Sequence, residues 1–317
     1  MKWLVVALLF GGFLCAAALW LGWGRRADWK VVTGRDRLND AGDAGRFSPL
    51  FPGAGEARSL VRWHGHATVS VGEGDSLMVV DPVVSKRIQV VPRRFDGPAL
   101  DPAQRCAAVF ITHAHMDHLD NGTLERMPPT LIFLPKKSER FLSAAVRRQH
   151  QVRSVELGES IPAGDWEVVP VPARHGGWRF PWQRGYFACG YIFRRGDAVI
   201  YVAGDTATGD HFADIAKNYA PDVAVLPIGA YSPQCFLRSR HLNPEEAVKV
   251  AAILGVKWLV PYHFGTYRLS LEPMDEPLRR FALCADAANR EWYLPVATGS
   301  RPRLVARSSP PATGGLP

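Results

Sequence analysis

The segment His113-Ala114-His115-Met116-Asp117-His118 restricts the fold of this chain more than any other stretch. Four metal-capable side chains fall within six residues, directly after the strand-like run 108–112. A packed apolar element has no use for three histidines and an aspartate together, whereas a short loop at a strand exit can present them to one or two cations. Three more candidates follow β-rich runs: His175 after 168–172, Asp205 after 200–204 and His263 after 259–262. Repeated placement at strand exits predicts that all seven converge on one sheet edge as a dinuclear donor set. His150 and His211 stand alone and read as structural histidines.

Short β-rich runs recur between residues 60 and 294, and helical patterns cover 138–149, 210–219, 244–254 and 275–287. Asn243 before Pro244 reads as an N-cap and Gly255 as a helix end. This mixture predicts one α/β or α+β domain of layered sheets over residues 59–300, followed by a disordered Ser-, Pro- and Gly-rich tail at 301–317. A chain of 317 residues with 47% hydrophobic content can bury a sizeable core. Its five cysteines form no CxxC, which excludes a disulfide framework and a Cys-type zinc finger. The net charge of +8 is spread among acids with no dense basic block, so nucleic acid is not an expected partner.

Residues 3–23 carry no charge. As a helix at about 1.5 Å per residue they reach roughly 32 Å, enough to cross a hydrocarbon core of about 30 Å. Trp3, Trp20 and Trp23 sit where interfacial aromatics belong. Lys2 and the alanines at 16–18 also allow a signal peptide, but the apolar run continues past them, as in an uncleaved anchor. The expectation is a single-pass membrane anchor over 1–24 and a linker and lead-in over 25–58. Arg25, Arg26, Lys30, Arg35 and Arg37 place the catalytic domain on the cytoplasmic side by positive-inside counting.

The HxHxDH run, His175, Asp205 and His263, in that order, resemble the metallo-β-lactamase fold hydrolases. Further stretches are similar to the branch of N-acylphosphatidylethanolamine-hydrolysing phospholipase D: Trp63-His64-Gly65-His66-Ala67-Thr68-Val69, Asp81-Pro82-Val83-Val84-Ser85, Pro92-Arg93-Arg94-Phe95, Ala203-Gly204-Asp205-Thr206 and Leu226-Pro227-Ile228-Gly229-Ala230-Tyr231. His241-Leu242-Asn243-Pro244-Glu245-Glu246-Ala247 and Tyr262-His263-Phe264-Gly265-Thr266 continue the likeness, which covers roughly residues 60 to 282. The resemblance implies a four-layer αβ/βα sandwich with metals at the rim between its sheets. It implies one metal on His113, His115 and His175, another on Asp117, His118 and His263, and Asp205 bridging. Two zinc ions are the expected cofactors, because nitrogen-rich ligation suits zinc and His115 stands where a di-iron variant has a glutamate.

The implied activity is phosphodiester hydrolysis by a hydroxide shared between the cations, with N-acylphosphatidylethanolamine-like membrane lipids as substrates. Asp117 is expected to orient the nucleophile and His241 to contact the phosphoryl group or leaving oxygen. His66 is expected to support the loops without ligating. Trp178, Arg179 and Trp182, in the aromatic and basic segment after His175, and Tyr231 are the expected contacts to an amphiphilic substrate. The same donor set also suits a lactonase or another hydrolase of a soluble substrate. A metal-binding membrane protein without catalysis is the remaining alternative.

Overall fold

The computed structural model describes residues 60–94, 100–177, 179, 180, 185, 187–290, 292, 295–298 and 301–304. Strands β1 (Val61–Trp63), β2 (Val69–Val71), β3 (Met78–Val80), β6 (Ala108–Phe110), β7 (Leu131–Pro135) and β8 (Gln151–Val155) belong to an eight-stranded sheet. It is completed by β15 (Pro295–Thr298) and β16 (Arg301–Leu304), in the order β16-β15-β1-β2-β3-β6-β7-β8. The second sheet has six strands: β9 (Ile161–Ala163), β10 (Trp166–Gly176), β11 (Phe187–Arg195), β12 (Ala198–Val202), β13 (Val223–Pro227) and β14 (Trp258–Tyr262). They lie in the order β14-β13-β12-β11-β10-β9. A small hairpin, β4 (Arg87–Ile88) with β5 (Val91–Pro92), stands apart from both.

Strand periodicity explains the layering. In β6 the alternate residue Val109 packs outward with Leu124, Leu142 and Val146 beneath helices α1 (Asn121–Leu124) and α2 (Ala144–Gln149). Phe110 points the other way, stacks on Phe133 and meets the edges of Tyr191 and Phe193 from the second sheet. These buried rings fill the space between the sheets, where each contributes on the order of 2 kcal/mol by burial. Helices α3 (His211–Tyr219), α5 (Pro244–Leu254) and α6 (Glu276–Ala287) accompany the second sheet, with the short α4 (Gln234–Leu237) ahead of α5, giving the expected αβ/βα order. A capping box between Asn243 and Glu246, Pro244 in the first turn and Gly255 at φ +66° fix the limits of α5.

The structure corrects several boundaries. The helix expected over 138–149 breaks into a 3₁₀ turn (Ser138–Phe141) and α2, because Ser143 caps the second part by accepting from the Val146 N–H. Of the strand expected at 292–294, Trp292 makes an isolated bridge to Leu259 and the rest lies outside the described residues, while Pro295–Thr298 forms a strand. Arg301–Leu304 pairs antiparallel with β15, so the expected tail begins no earlier than residue 305. The anchor over 1–24 and the linker over 25–58 lie outside the described residues. Among the described residues no helix is long and apolar enough to cross a membrane.

Candidate metal centre

The loop after β6 is held before any donor is considered. The His118 and Leu119 N–H groups both donate to the His115 carbonyl, which curls 113–119 into a compact turn, and the Asp120 carboxylate then caps α1 by accepting from Gly122. The second sheet grips the base of this loop: Cys189 N–H donates to the Thr112 carbonyl at 3.0 Å and Tyr191 Oη to the Ile111 carbonyl at 2.7 Å. His113 and His118 are fully buried. β10 delivers His175, the turn after β12 delivers Asp205, and the end of β14 delivers His263.

Close backbone approaches aim the last two. Gly204, at φ +66°, precedes Asp205 where a Cβ would lie 2.8 Å from the Cys189 carbonyl oxygen. Gly229 lets the His263 carbonyl approach to a point 2.3 Å from where a Cβ would stand. His66, Asp81 and His263 all hold positive φ, a costly conformation for residues with side chains that clusters at functional sites.

The seven expected donors come together. His115 Nδ1 lies 3.0 Å from His113 Nε2 and 3.2 Å from His175 Nε2. Both of those nitrogens are 3.9 Å from Asp205 Oδ2. On the other side Asp205 reaches His118 Nε2 through Oδ2 at 3.2 Å and His263 Nε2 through Oδ1 at 3.1 Å. Asp117 Oδ2 faces the same two nitrogens at 3.7 and 3.6 Å. One carboxylate therefore spans two donor groups.

Hydrogen bonds behind the imidazoles decide which nitrogens face inward as lone pairs. Asp81 accepts from Thr112 N and Oγ1 and, at 2.7 Å, from His118 Nδ1, leaving His118 Nε2 unprotonated in the neutral ring. Thr112 Oγ1, having donated to Asp81, accepts from His113 Nδ1 at 3.0 Å, and the Arg240 carbonyl accepts from His175 Nδ1 at 2.8 Å. Nitrogens and two carboxylates thus converge at 3.0 to 3.9 Å, a donor set that calls for positive charge between its members. Burial works against charge on His118, but Asp205, Asp81 and Asp117 outweigh it and hold its pKa well above the ordinary imidazole value. The positive charge the carboxylates call for is the charge a divalent cation supplies. His115 and His175 are lowered to about 4, first by burial, and stay neutral as ligation requires.

Two residues exceed or escape the expectations. His66 comes within 3.1 Å of Asp117 Oδ2 through Nε2 and shares a four-residue donor group with Asp117, His118 and His263. Asp81, present in a recognised stretch but not singled out as a site residue, is the carboxylate that orients His118. Its signal was an aspartate directly after a buried β-strand, like Asp205.

Of the expected catalytic pair, Asp117 is 18% exposed where Asp205 is 1%, so it is the carboxylate open to solvent. His241 brings Nδ1 to 3.7 Å from Asp205 Oδ2, and burial lowers its pKa to about 4. The substrate contacts fare differently. Trp178 and Trp182 lie outside the described residues. Arg179 donates to the Ala114 and Leu119 carbonyls at 2.8 and 3.0 Å and lies over Phe141, clasping the donor loop. Tyr231 is buried and donates to Glu276. His150 bridges Thr130 and Leu124, and His211 meets Thr206, as structural histidines do.

The family model of the beta-lactamase superfamily domain matches residues 77–264, a range that holds all seven donors. This chain belongs to that superfamily. An uncharacterized protein of Mycobacterium tuberculosis is 31% identical over 81% of this chain and 72% of its own. The N-acyl-phosphatidylethanolamine-hydrolyzing phospholipase D 1 of Caenorhabditis elegans is 31% identical over 70% of this chain and 69% of its own. Among solved structures, the metallo hydrolase Igni18 of Ignicoccus hospitalis superposes with a TM-score of 0.57 at 20% identity, over 79% of this chain and 98% of that one, and shares the fold. Family and donor cluster together make the superfamily member a metal-dependent hydrolase of the metallo-β-lactamase fold.

Proposed function

We propose that this hydrolase is a membrane-anchored, zinc-dependent phosphodiesterase that cleaves N-acylphosphatidylethanolamine-like phospholipids in the manner of a phospholipase D. The observation that carries the reading is a complete donor cluster spanned by Asp205, in a chain 31% identical to a nematode phospholipase of that specificity. The apolar stretch 3–23 supports the anchor, and the nitrogen-rich donors support zinc.

His113, His115 and His175 would hold one cation, and Asp117, His118 and His263 the other, with Asp205 between them. Cations bound there acidify water and offset charge on phosphoryl oxygens. Asp117 faces solvent and holds the attacking water by accepting its proton in a hydrogen bond, while His66 fixes the carboxylate from behind. His241 is neutral at physiological pH, so it donates one N–H to the phosphoryl or leaving oxygen and does not act as an imidazolium acid. Water oxygen bonds to phosphorus, the bond from phosphorus to the N-acylethanolamine oxygen breaks, and the proton that the water gives up ends on that leaving oxygen. Phosphatidic acid and N-acylethanolamine are the products.

The test is release of phosphatidic acid from N-acylphosphatidylethanolamine in mixed micelles by the full chain and by Asp205→Asn. Turnover that Asp205→Asn abolishes establishes the reading. A metal-loaded chain that leaves this lipid intact while hydrolysing a soluble lactone overturns it.

A further inference from the structure

Three segments ring the mouth of the donor cluster, and they are tied to one another. The hairpin segment 84–94 joins the loop after β14 through Arg94 N–H to the Thr266 carbonyl and Tyr267 Oη to the Ser85 carbonyl. That loop joins the segment after β13 through Leu271 N–H to the Ser232 carbonyl. The segment after β13 closes back on the donors through the Arg240 carbonyl and His241.

Their surface composition is one-sided. Val90 is 74% exposed, Phe236 60%, Leu269 38% and Leu271 60%, four of the eight exposed large apolar side chains among the described residues. Residues 84–94, 228–243 and 263–275 contain seven Lys and Arg but only two acids. Glu272 is buried and accepts from the Ala230 and Ser232 N–H groups, and Asp275 stands at the start of α6. Lys86 and Arg87 are exposed, and the Arg238 side chain is 74% exposed although it lies 3.7 Å from Glu246. The turns at the opposite strand ends expose acids instead: Glu73 and Asp75 between β2 and β3, Asp165 between β9 and β10, and Asp197 between β11 and β12.

We infer that this rim is a docking surface for an anionic lipid bilayer. Apolar tips flanked by exposed cations match the interface of a membrane that carries negative headgroups. Val90, Phe236, Leu269 and Leu271 enter the boundary between headgroups and acyl chains, and Lys86, Arg87 and Arg238 meet the phosphates. The donor cluster then faces the lipid plane. The inference deepens the phospholipid reading above and rests on it for the biological substrate, but docking itself is measurable without turnover.

Cys235 is exposed beside Phe236 and offers the probe. The full chain, labelled there with an environment-sensitive fluorophore, is reconstituted into vesicles of phosphatidylcholine alone or with phosphatidylglycerol. The expected result is a blue shift, with quenching by headgroup-region spin-labelled lipid, in the anionic vesicles. Lys86→Ala with Arg87→Ala lowers the ratio of docked to undocked protein about twenty-five-fold, at about fivefold per charge. Leu271→Glu abolishes the signal with an unchanged circular dichroism spectrum. Asp197→Cys labelled in a Cys235→Ser background stays in water. A Cys235 label that stays in water in both vesicles overturns the inference, as does one protected by duplex DNA or by a second copy of the chain but not by lipid. Turnover of the phospholipid with an undocked label rejects the rim alone, whereas a docked label without turnover rejects the substrate reading alone.

Discussion

The two halves of the donor cluster are built from different materials. Around His113, His115 and His175 the supports are neutral, a threonine hydroxyl and a backbone carbonyl. Around Asp117, His118 and His263 the supports are ionisable: the buried Asp81 behind His118 and His66 behind Asp117. The Asp205 carboxylate lies between the two and within 3.9 Å of nitrogens in each. The histidine half is therefore held mainly by shape, and the carboxylate half by charge that must itself be held in place. Loss of charge should damage the second half selectively, and loss of the spanning residue should damage both.

Asp205→Asn is the severest test. The variant keeps the side-chain shape but removes the charge between the halves, and kcat/KM on the proposed phospholipid substrate should fall about a thousandfold. Metal analysis after dialysis should show depletion at both positions. Full occupancy with activity intact would separate the halves and break the comparison.

Asp81→Asn acts on one half only. Outer partners of ligating histidines are worth about 10- to 100-fold in metal affinity. Chelator competition should show one weakened site and one unchanged. Equal weakening of both would mean that the Thr112 contact to Asp81, shared with His113, couples the halves.

How much of this was legible in the sequence follows the same division. His113, His115, Asp117 and His118 were readable because no packing role explains their density, and His175, Asp205 and His263 because each leaves a β-rich run. Asp81 leaves a buried strand too, but a lone aspartate before a proline reads equally as a turn, and nothing local says that His118 lies 2.7 Å away. Arg179 shows the opposite case. An arginine among tryptophans reads as a ligand contact, and nothing local announces that it also donates to carbonyls 60 and 65 residues away. Strands at sheet edges were also hard to see: β8 alternates with polar residues, and β9 contains Pro162, which an edge strand tolerates.

His64 gives the carboxylate half a pH-sensitive footing. It lies at the end of β1, two residues before His66, with Nε2 2.8 Å from Ser70 Oγ. Burial, then Arg62 and Arg93, lowers its pKa to about 4. The unfolded chain binds this proton at about pH 6.5, so between the two values the unfolded state holds more protons. Stability from His64 is thus fully present above about pH 6.5 and is lost as pH falls towards about 4. From about pH 7 to about pH 5 the loss is about 2 kcal/mol. Urea unfolding of His64→Gln at both values should show a pH dependence smaller by that amount than in the wild type. Identical slopes would remove His64 from the support of this half.

Arg179 should show no preference between the halves. Its two hydrogen bonds bracket residues 114–119, and that loop supplies donors to both groups. Arg179→Met keeps the length and the packing on Phe141 but releases the carbonyls, which water can then solvate. Loosening a loop that carries donors for both cations should weaken both sites by a similar factor, roughly tenfold at about 1 to 1.5 kcal/mol of net hydrogen bonding. Chelator competition at the two sites reads this directly. A substrate contact behaves otherwise: KM rises while metal affinity at both sites stays as in the wild type. Because the loop feeds both halves, a selective loss at one of them would show that the halves are already decoupled within these few residues, before Asp205 is reached.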